Sequence, residues 1–578
     1  MTDKELKKLK ADLWHSADML RQGAHLAANK YGQPILGLIF LRYADILYKQ
    51  HKTEIEEEFN KKKGTRAERS LKDISIEKCG FYLPENAYFD KINDAPDTAE
   101  KATLVKNAMI SIENENPSLN GVLPKEVYGA LVPEEEPDLL SRIIRIFKDI
   151  PENISIDLFG EIYEYFLGNF ALSEGKDGGT FYTPATVVRY MVNVLKPEAG
   201  EKKFLDPACG SGGMFVQAAR YMHEHNSNAQ DMMKFRCYGV EKEGDTVKLA
   251  KMNLLLNNVR GEIKEANSFY SDPHNAYGAF DYVMANPPFN VDEVVLDRVK
   301  DDKRFNEYGI PAKKSKSAKK GGDKKETVPN ANYLWISYFA TALNQNGKAA
   351  LVMANSASDA GGAELEIRQN MIKAGIIKQM VTLPSNMFTS VTLPATLWFF
   401  DKNKSEAQKD EILFIDARNV FTQVDRAHRK FSDEQIKNLT VISRLYEGDT
   451  QAFDDLLEEY QQAKQNAPEI ATEDEPKTKA YYQAQIDWLL ERFPEHKYQD
   501  VVGLCKVAKI EGEDGIEDQD WSLNAGRYVG VVIEDDGMTE QEFKDHMQSL
   551  HNEFLQLNAE AKNLEDAITN NLKGLFSD

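Results

Sequence analysis

The sequence predicts an α/β protein, a mainly parallel sheet with helices on both faces, preceded and followed by helical regions. Three observations carry this. Between residues 151 and 420, short runs of β-formers alternate with helical stretches, the pattern of repeated strand–helix–strand units. Residues 1–150 instead place apolar side chains at three- and four-residue steps, as one face of a helix requires. Residues 421–535 are polar and mostly helical, and 536–578 read as one terminal helix.

The elements follow in order. "LKKLKADLWHSADMLRQ" sets Leu6, Leu9, Leu13, Ala17 and Leu20 along one face. "GQPILGLIFLRYADILYKQ" is apolar more broadly, as in a helix packed on most sides, and "SRIIRIFKDI" closes the region before Pro151. "KFLD" is the first strand, followed by a glycine-rich turn and the helix "MFVQAARYMHEH". "FRCYGVE", "EIKEAN" and "FDYVMA" are the next strands. After an insertion come the helix "ANYLWISYFATAL", the strand "KAALVMA", a helix near 363–373, and strands "IIKQMVTL" and "TLWFFDK". Residues 461–480 read as a linker.

Length and composition bound the function. A chain of 578 residues exceeds one core and suggests about three domains. Its 42% hydrophobic content fits a globular protein. The longest uncharged apolar run, Pro34 to Leu41, is too short for a bilayer. Cys79, Cys209, Cys237 and Cys505 are scattered with no metal-ligand spacing, so reduced thiols, a cytoplasmic setting and no metal are expected. Lys and Arg number 71 against 93 Asp and Glu, a net charge of −22. Binding to nucleic acid rests largely on cations, so such a partner calls for a basic subunit or a local basic patch.

Two stretches suggest a nucleoside site. In "FLDPACGSGGMF" a strand ends at Asp206, and Gly210, Gly212 and Gly213 turn the chain into a helix. Such a turn brings backbone close to a ligand and offers free N–H groups. No Lys-Ser/Thr pair follows, so it is not a P-loop. The second strand ends at Glu241, where a carboxylate beside a glycine loop can accept from both hydroxyls of a ribose. Alone, Glu241 reads better as an acid at a helix N-terminus; beside the glycine loop, the nucleoside reading is the better one.

The third stretch is "FDYVMANPPFN", a strand ended by Asn286, Pro287, Pro288 and Phe289. Two prolines stop a strand outright, which a merely structural turn would explain without the amide and the ring. The lone pair of an adenine exocyclic amine is delocalised into the base, and two acceptors on its N–H bonds free that pair for attack. The Asn286 side-chain oxygen and the Pro287 carbonyl can be those acceptors. Phe289 can stack on a base that has left the duplex, worth about 1–3 kcal/mol.

These residues resemble the N6-adenine DNA methyltransferases, and more closely the modification (M) subunits of type I restriction–modification systems. "LWHSADMLR", "ILGLIFLRYAD", "GGTFYTP", "DPACGSGG", "NPPF" and "WSLNAGRYVG" carry the resemblance through most of the chain. Asn-Pro-Pro-Phe alone is shared with methyltransferases acting on protein glutamine and on RNA guanine. The resemblance implies a Rossmann-like, S-adenosylmethionine-dependent methyltransferase domain at 151–420, between a helical domain at 1–150 and the helical region at 421–535. It places Thr180, Phe181, Tyr182, Thr183 and Pro184 over the cofactor, Asp206, Pro207, Gly210, Ser211 and Gly212 at its methionine part, and Glu241 at its ribose. Asn267 stands where many relatives carry Asp.

The resemblance also implies partners: double-stranded DNA, a specificity (S) subunit that reads the target, a second copy of this chain, and a restriction (R) subunit. Phe543, Met547, Leu550, Phe554, Leu557, Ala561, Leu564, Ile568 and Leu572 form a near-heptad seam. It either packs on its own domain or docks on helices of the S subunit. Residues 311–325 hold seven lysines and one aspartate, a solvated loop or a phosphate contact. Two rival readings are a non-catalytic scaffold and a protein-glutamine methyltransferase.

Overall fold

A computed structural model describes residues 3–575 except 24–27, 67, 98–99, 155, 175–182, 226–228, 313–325, 389–393, 427, 473–474 and 533–538. The chain divides into two compact units, Met1–Val529 and Gly530–Asp578.

In the first unit the helices Asp3–Gly23, Ala28–Lys62, Glu100–Glu115, Leu139–Lys148 and Ile156–Glu174 build one core. Leu6, Leu13, Ala17 and Leu20 are buried in it and Leu9 is partly buried, as their spacing requires. Met252 and Leu256, from the helix Gly244–Leu256 of the sheet region, belong to the same core. Apolar packing thus joins the helical region to one edge of the sheet.

The sheet has nine strands: β1 Lys203–Asp206, β2 Arg236–Glu241, β3 Gly261–Glu265, β4 Phe280–Ala285, β5 Leu343–Ala354, β6 Ile377–Thr382, β7 Ala395–Asp401, β8 Glu411–Asp416 and β9 Cys505–Lys509. Their spatial order is β9-β8-β6-β7-β5-β4-β1-β2-β3. The β1–β2, β1–β4, β2–β3, β4–β5 and β6–β8 pairs are parallel, whereas β7 runs antiparallel between β5 and β6, and β9 antiparallel to β8. Successive side chains alternate faces. Phe204, Tyr282 and Met284 enter one core, and Leu205, Val283 and Ala285 enter the other, which Phe280 also joins across the register shift between it and Tyr282.

Two strands depart from the expected layout. β8 lies between "TLWFFDK" and the helical region, and β9 lies within residues 421–535, expected to be mostly helical. "CKVAK" is short and contains two lysines, so its strand character comes from pairing, with Ile412 opposite Ala508 and Leu413 opposite Val507.

One consequence of this topology matters for the site. The parallel strands β1, β2 and β4 end at the same edge, so the turn after Asp206, the Glu241 carboxylate and the Asn286 corner are neighbours. That edge is where ligands bind in open α/β sheets. The second unit is the helix Glu540–Leu575. Phe543, Met547, Leu550, Phe554, Leu557, Leu564 and Ile568 are exposed on it.

Candidate active site

The turn after β1 is held by its own backbone. The Cys209 amide donates to the Val240 carbonyl at 3.0 Å, fastening the turn to β2. Gly212 has φ +82°, and a Cβ there would lie 2.9 Å from Leu254 Cδ1. Both its conformation and its close approach call for glycine. The Ser211 carbonyl accepts from Asn253 Nδ2 at 2.9 Å, and the Pro207 carbonyl accepts from Ser268 Oγ at 2.5 Å. Asp206 is buried, and its Oδ1 accepts from the Ala208 amide at 3.0 Å. Burial pushes this carboxyl well above its usual range, with the Glu241 charge adding to the effect.

Glu241 clasps two turns. Its Oε2 accepts from the Gly210 amide at 3.0 Å, while Oε1 accepts from the Lys242 and Glu243 amides at 2.8 and 2.9 Å. A carboxylate offers about four acceptor sites. Most of its capacity therefore already holds the backbone in place.

At the end of β4, Asn286 Nδ2 donates to Thr183 Oγ1 at 3.0 Å. Its Oδ1 is buried and has no partner among the described residues. Pro287 is buried, whereas Pro288 and Phe289 are half-buried. Phe289 packs at the margin of the cores on both sheet faces. The exit of the corner is fixed by asparagines: the Asn290 amide donates to Asn332 Oδ1 at 2.8 Å, and Asn330 and Asn332 donate to Asn290 Oδ1 at 2.9 and 3.0 Å. Pro184 starts the helix Ala185–Leu195. Thr180, Phe181 and Tyr182 lie outside the described residues, as does most of the lysine-rich run.

Two adjoining cavities open along this edge. The first, about 70 Å³, is lined by Glu164, Thr183, Asp206, Gly210, Ser211, Gln217 and Asn286 among others. The second, about 290 Å³, is lined by Glu241, Asn267, Phe269, Tyr270, Pro288 and Trp335 among others. Ala208 lines both. Asn267 Oδ1 accepts from the Phe269 amide at 3.0 Å, and the Phe269 ring lies 4.5 Å from Trp335. Glu164, Gln217, Phe269 and Trp335 were not expected at the site. One signal for Glu164 was available: it is an acid beside Phe159, Ile162, Tyr163, Phe166 and Leu167, all buried on the same helix. Among the described residues no group of three or more His, Cys, Asp or Glu is placed to hold a metal.

Comparison with known proteins agrees with this geometry. Residues 154–488 match the N-6 DNA Methylase family, and residues 9–147 match the HsdM N-terminal domain. The type I restriction enzyme MjaIX methylase subunit of Methanocaldococcus jannaschii is 33% identical over 580 residues, covering 96% of this chain and 90% of that protein. This chain belongs to the type I restriction enzyme methylase subunit family. The HindI methylase subunit of Haemophilus influenzae is 32% identical over 521 residues, covering 88% of this chain and 98% of that one. In fold, the chain is similar to the type I restriction–modification methyltransferase subunit of Streptococcus thermophilus. There the TM-score is 0.65 at 21% identity, with 91% of this chain and all of that one covered. The reaction of this methylase subunit is methylation of adenine N6 in DNA. Among the described residues no helix is long and apolar enough to cross a membrane.

Proposed function

We propose that this methylase subunit takes its methyl group from S-adenosylmethionine, held across the two cavities, and presents the target adenine at the Asn286 corner. The observation that carries this reading is the buried, unpartnered Asn286 Oδ1 at the end of β4, beside the glycine turn. A buried acceptor left open is costly unless a ligand fills it, and an exocyclic amine is a donor of the right kind.

The residues present fit that cofactor. The cavity beside Phe269 and Trp335 suits an adenosine, with Glu241 near its ribose, and the smaller cavity beside Gly210 and Ser211 suits an amino-acid end. When bound, S-adenosylmethionine supplies an electrophilic methyl group on a sulfonium. The protein contributes orientation and electrostatics. Thr183 holds the Asn286 amide so that its oxygen faces the cavity. Asn286 accepts from the adenine amine, Pro287 and Pro288 keep the corner rigid, and Phe289 stacks on the base. The side chain at the corner is an amide and takes up no proton near neutral pH, so the amine gives its proton to solvent as it is methylated.

The chain works as one part of a larger enzyme. Its relatives are named methylase subunits of type I restriction enzymes, and a net charge of −22 suits a subunit that borrows its DNA affinity. The partners we assign are double-stranded DNA, a specificity subunit, a restriction subunit and a second copy of this chain, with the Glu540–Leu575 helix as the contact to the specificity subunit. The test is labelled methyl transfer to adenine by the native complex and by the isolated chain, each with wild-type Asn286 and with Asn286→Ala. Transfer by the complex alone, lost with Asn286→Ala, is expected. Transfer that survives Asn286→Ala overturns the assignment of the corner, and S-adenosylmethionine binding without any transfer favours the scaffold reading.

A further inference from the structure

The smaller cavity contains more acceptor oxygens than the corner chemistry uses. Glu164, on the helix Ile156–Glu174, brings a carboxylate to it, and the glycine turn lines the same cavity. Among the described residues its two oxygens accept only from Gln217 Nε2, at 3.2 and 3.1 Å. Gln217 is 3% exposed, and its Oε1 is buried without a partner among the described residues. Asp206 adds a second carboxylate, itself buried, and among the described residues no lysine or arginine lines the cavity. Among the described residues no cation forms an ion pair with Glu164; Arg220 and Lys10 reach it only through space.

Such a set is unfavourable in the absence of a cation. An ionised carboxylate taken out of water needs a partner, and burial pushes the Glu164 carboxyl above its usual range, Glu161 acting in the same direction. The ligand group that completes this cavity is therefore small, positively charged and rich in N–H donors. The cavity holds about 70 Å³. A single water needs about 10–15 Å³ on that measure, so a small polar head fits there.

We propose that Glu164, held by Gln217, receives the α-ammonium group at the amino-acid end of the cofactor, an assignment that rests on the S-adenosylmethionine reading above. Gln217 fixes the carboxylate through Nε2 and offers Oε1 as a second acceptor to the same ammonium. Asn286 Oδ1 in the same cavity stays open for the target amine. Glu164 is thus a cofactor-positioning residue that arrives from the helical region, outside the strand-end turns.

Calorimetric titration of the full chain tests this with two probes, S-adenosylhomocysteine and its desamino analogue. On the wild-type chain, loss of the amine is expected to weaken binding about 10- to 100-fold, the size of a charge-assisted hydrogen bond. Glu164→Gln is expected to weaken S-adenosylhomocysteine by a similar factor and to leave the desamino ligand within about twofold. Equal wild-type affinity for the two probes overturns the Glu164 assignment while the cofactor reading stands, and needs no variant. Equal weakening of both probes by Glu164→Gln also overturns it, in favour of a general structural role. A wild-type chain that binds neither probe overturns the cofactor reading itself.

Discussion

Thr183 Oγ1 accepts the Asn286 Nδ2–H at 3.0 Å, so a residue placed just before the sheet orients a side chain 103 positions later. The bond uses the donor side of the amide and leaves the acceptor side facing the cavity. Thr183→Val removes this hold while keeping the shape. Turnover in the assembled enzyme is expected to fall about 10- to 100-fold, as small misplacements in positioned reactions do, with S-adenosylmethionine affinity little changed. Thr183→Ser is expected to restore most of the rate. A Thr183→Val enzyme with normal turnover would show that the amide is oriented by something else.

Asp206 lowers the stability of the unliganded protein at neutral pH. A carboxyl whose pKa is raised by burial binds its proton more tightly when folded than when unfolded. Stability is therefore lost as pH rises from the ordinary aspartate value, about 4, through the raised folded value. Asp206→Asn is expected to unfold at a higher temperature than wild type at pH 7.5, the gap closing as pH falls toward that ordinary value. Scanning calorimetry across pH reads this directly, and a gap that does not change with pH contradicts it.

The Arg42–Asp45 pair holds the helical region together. Both side chains are 1% exposed; Arg42 Nη1 donates to Asp45 Oδ2 at 3.3 Å, and Nη2 donates to the Lys148 and Ile150 carbonyls at 3.2 and 2.7 Å. Asp45 Oδ1 also accepts the Phe89 amide at 3.0 Å. Arg42→Ala leaves two carbonyls without their donor and Asp45 with Lys49 as its remaining cation, 2.9 Å from Oδ2, an expected loss of about 2–3 kcal/mol. Denaturant titration measures it, and a loss below about 1 kcal/mol would mean that water satisfies the freed carbonyls.

The apolar seam of the Glu540–Leu575 helix is read as a surface for the specificity subunit. Leu550 and Phe554 are one step apart on it and 45% and 60% exposed. Changing both to Glu is expected to abolish co-purification of the specificity subunit while leaving S-adenosylmethionine affinity and the unfolding temperature of the main unit unchanged. Retention of that subunit by the double variant would place the contact elsewhere.

Much of the fold was legible because its elements carry period and punctuation. Leu13, Ala17 and Leu20 share a face because a helix repeats every 3.6 residues, and "FDYVMA" ends where two prolines forbid a ladder. β9 was not legible, since "CKVAK" becomes a strand only when the edge of β8 is there to pair with it. At the site, Asp206, Gly210, Glu241 and Asn286 stood out because glycine, strand-end acids and a double proline are locally conspicuous. Glu164 and Gln217 lie inside ordinary helices and are conspicuous only beside each other.

The sequence by itself determined the α/β class, the order of the chemistry-bearing turns and the family, because these rest on local spacing and on residues whose backbone demands are special. The tertiary structure alone decided which groups face one another. It brings Glu164 and Gln217 to one cavity, commits most of Glu241 to backbone amides, and leaves Asn286 Oδ1 open. The physical reason is that hydrogen-bond satisfaction is a property of contacts between distant segments. A sequence names the donors and acceptors, but only packing shows which of them remain for a ligand.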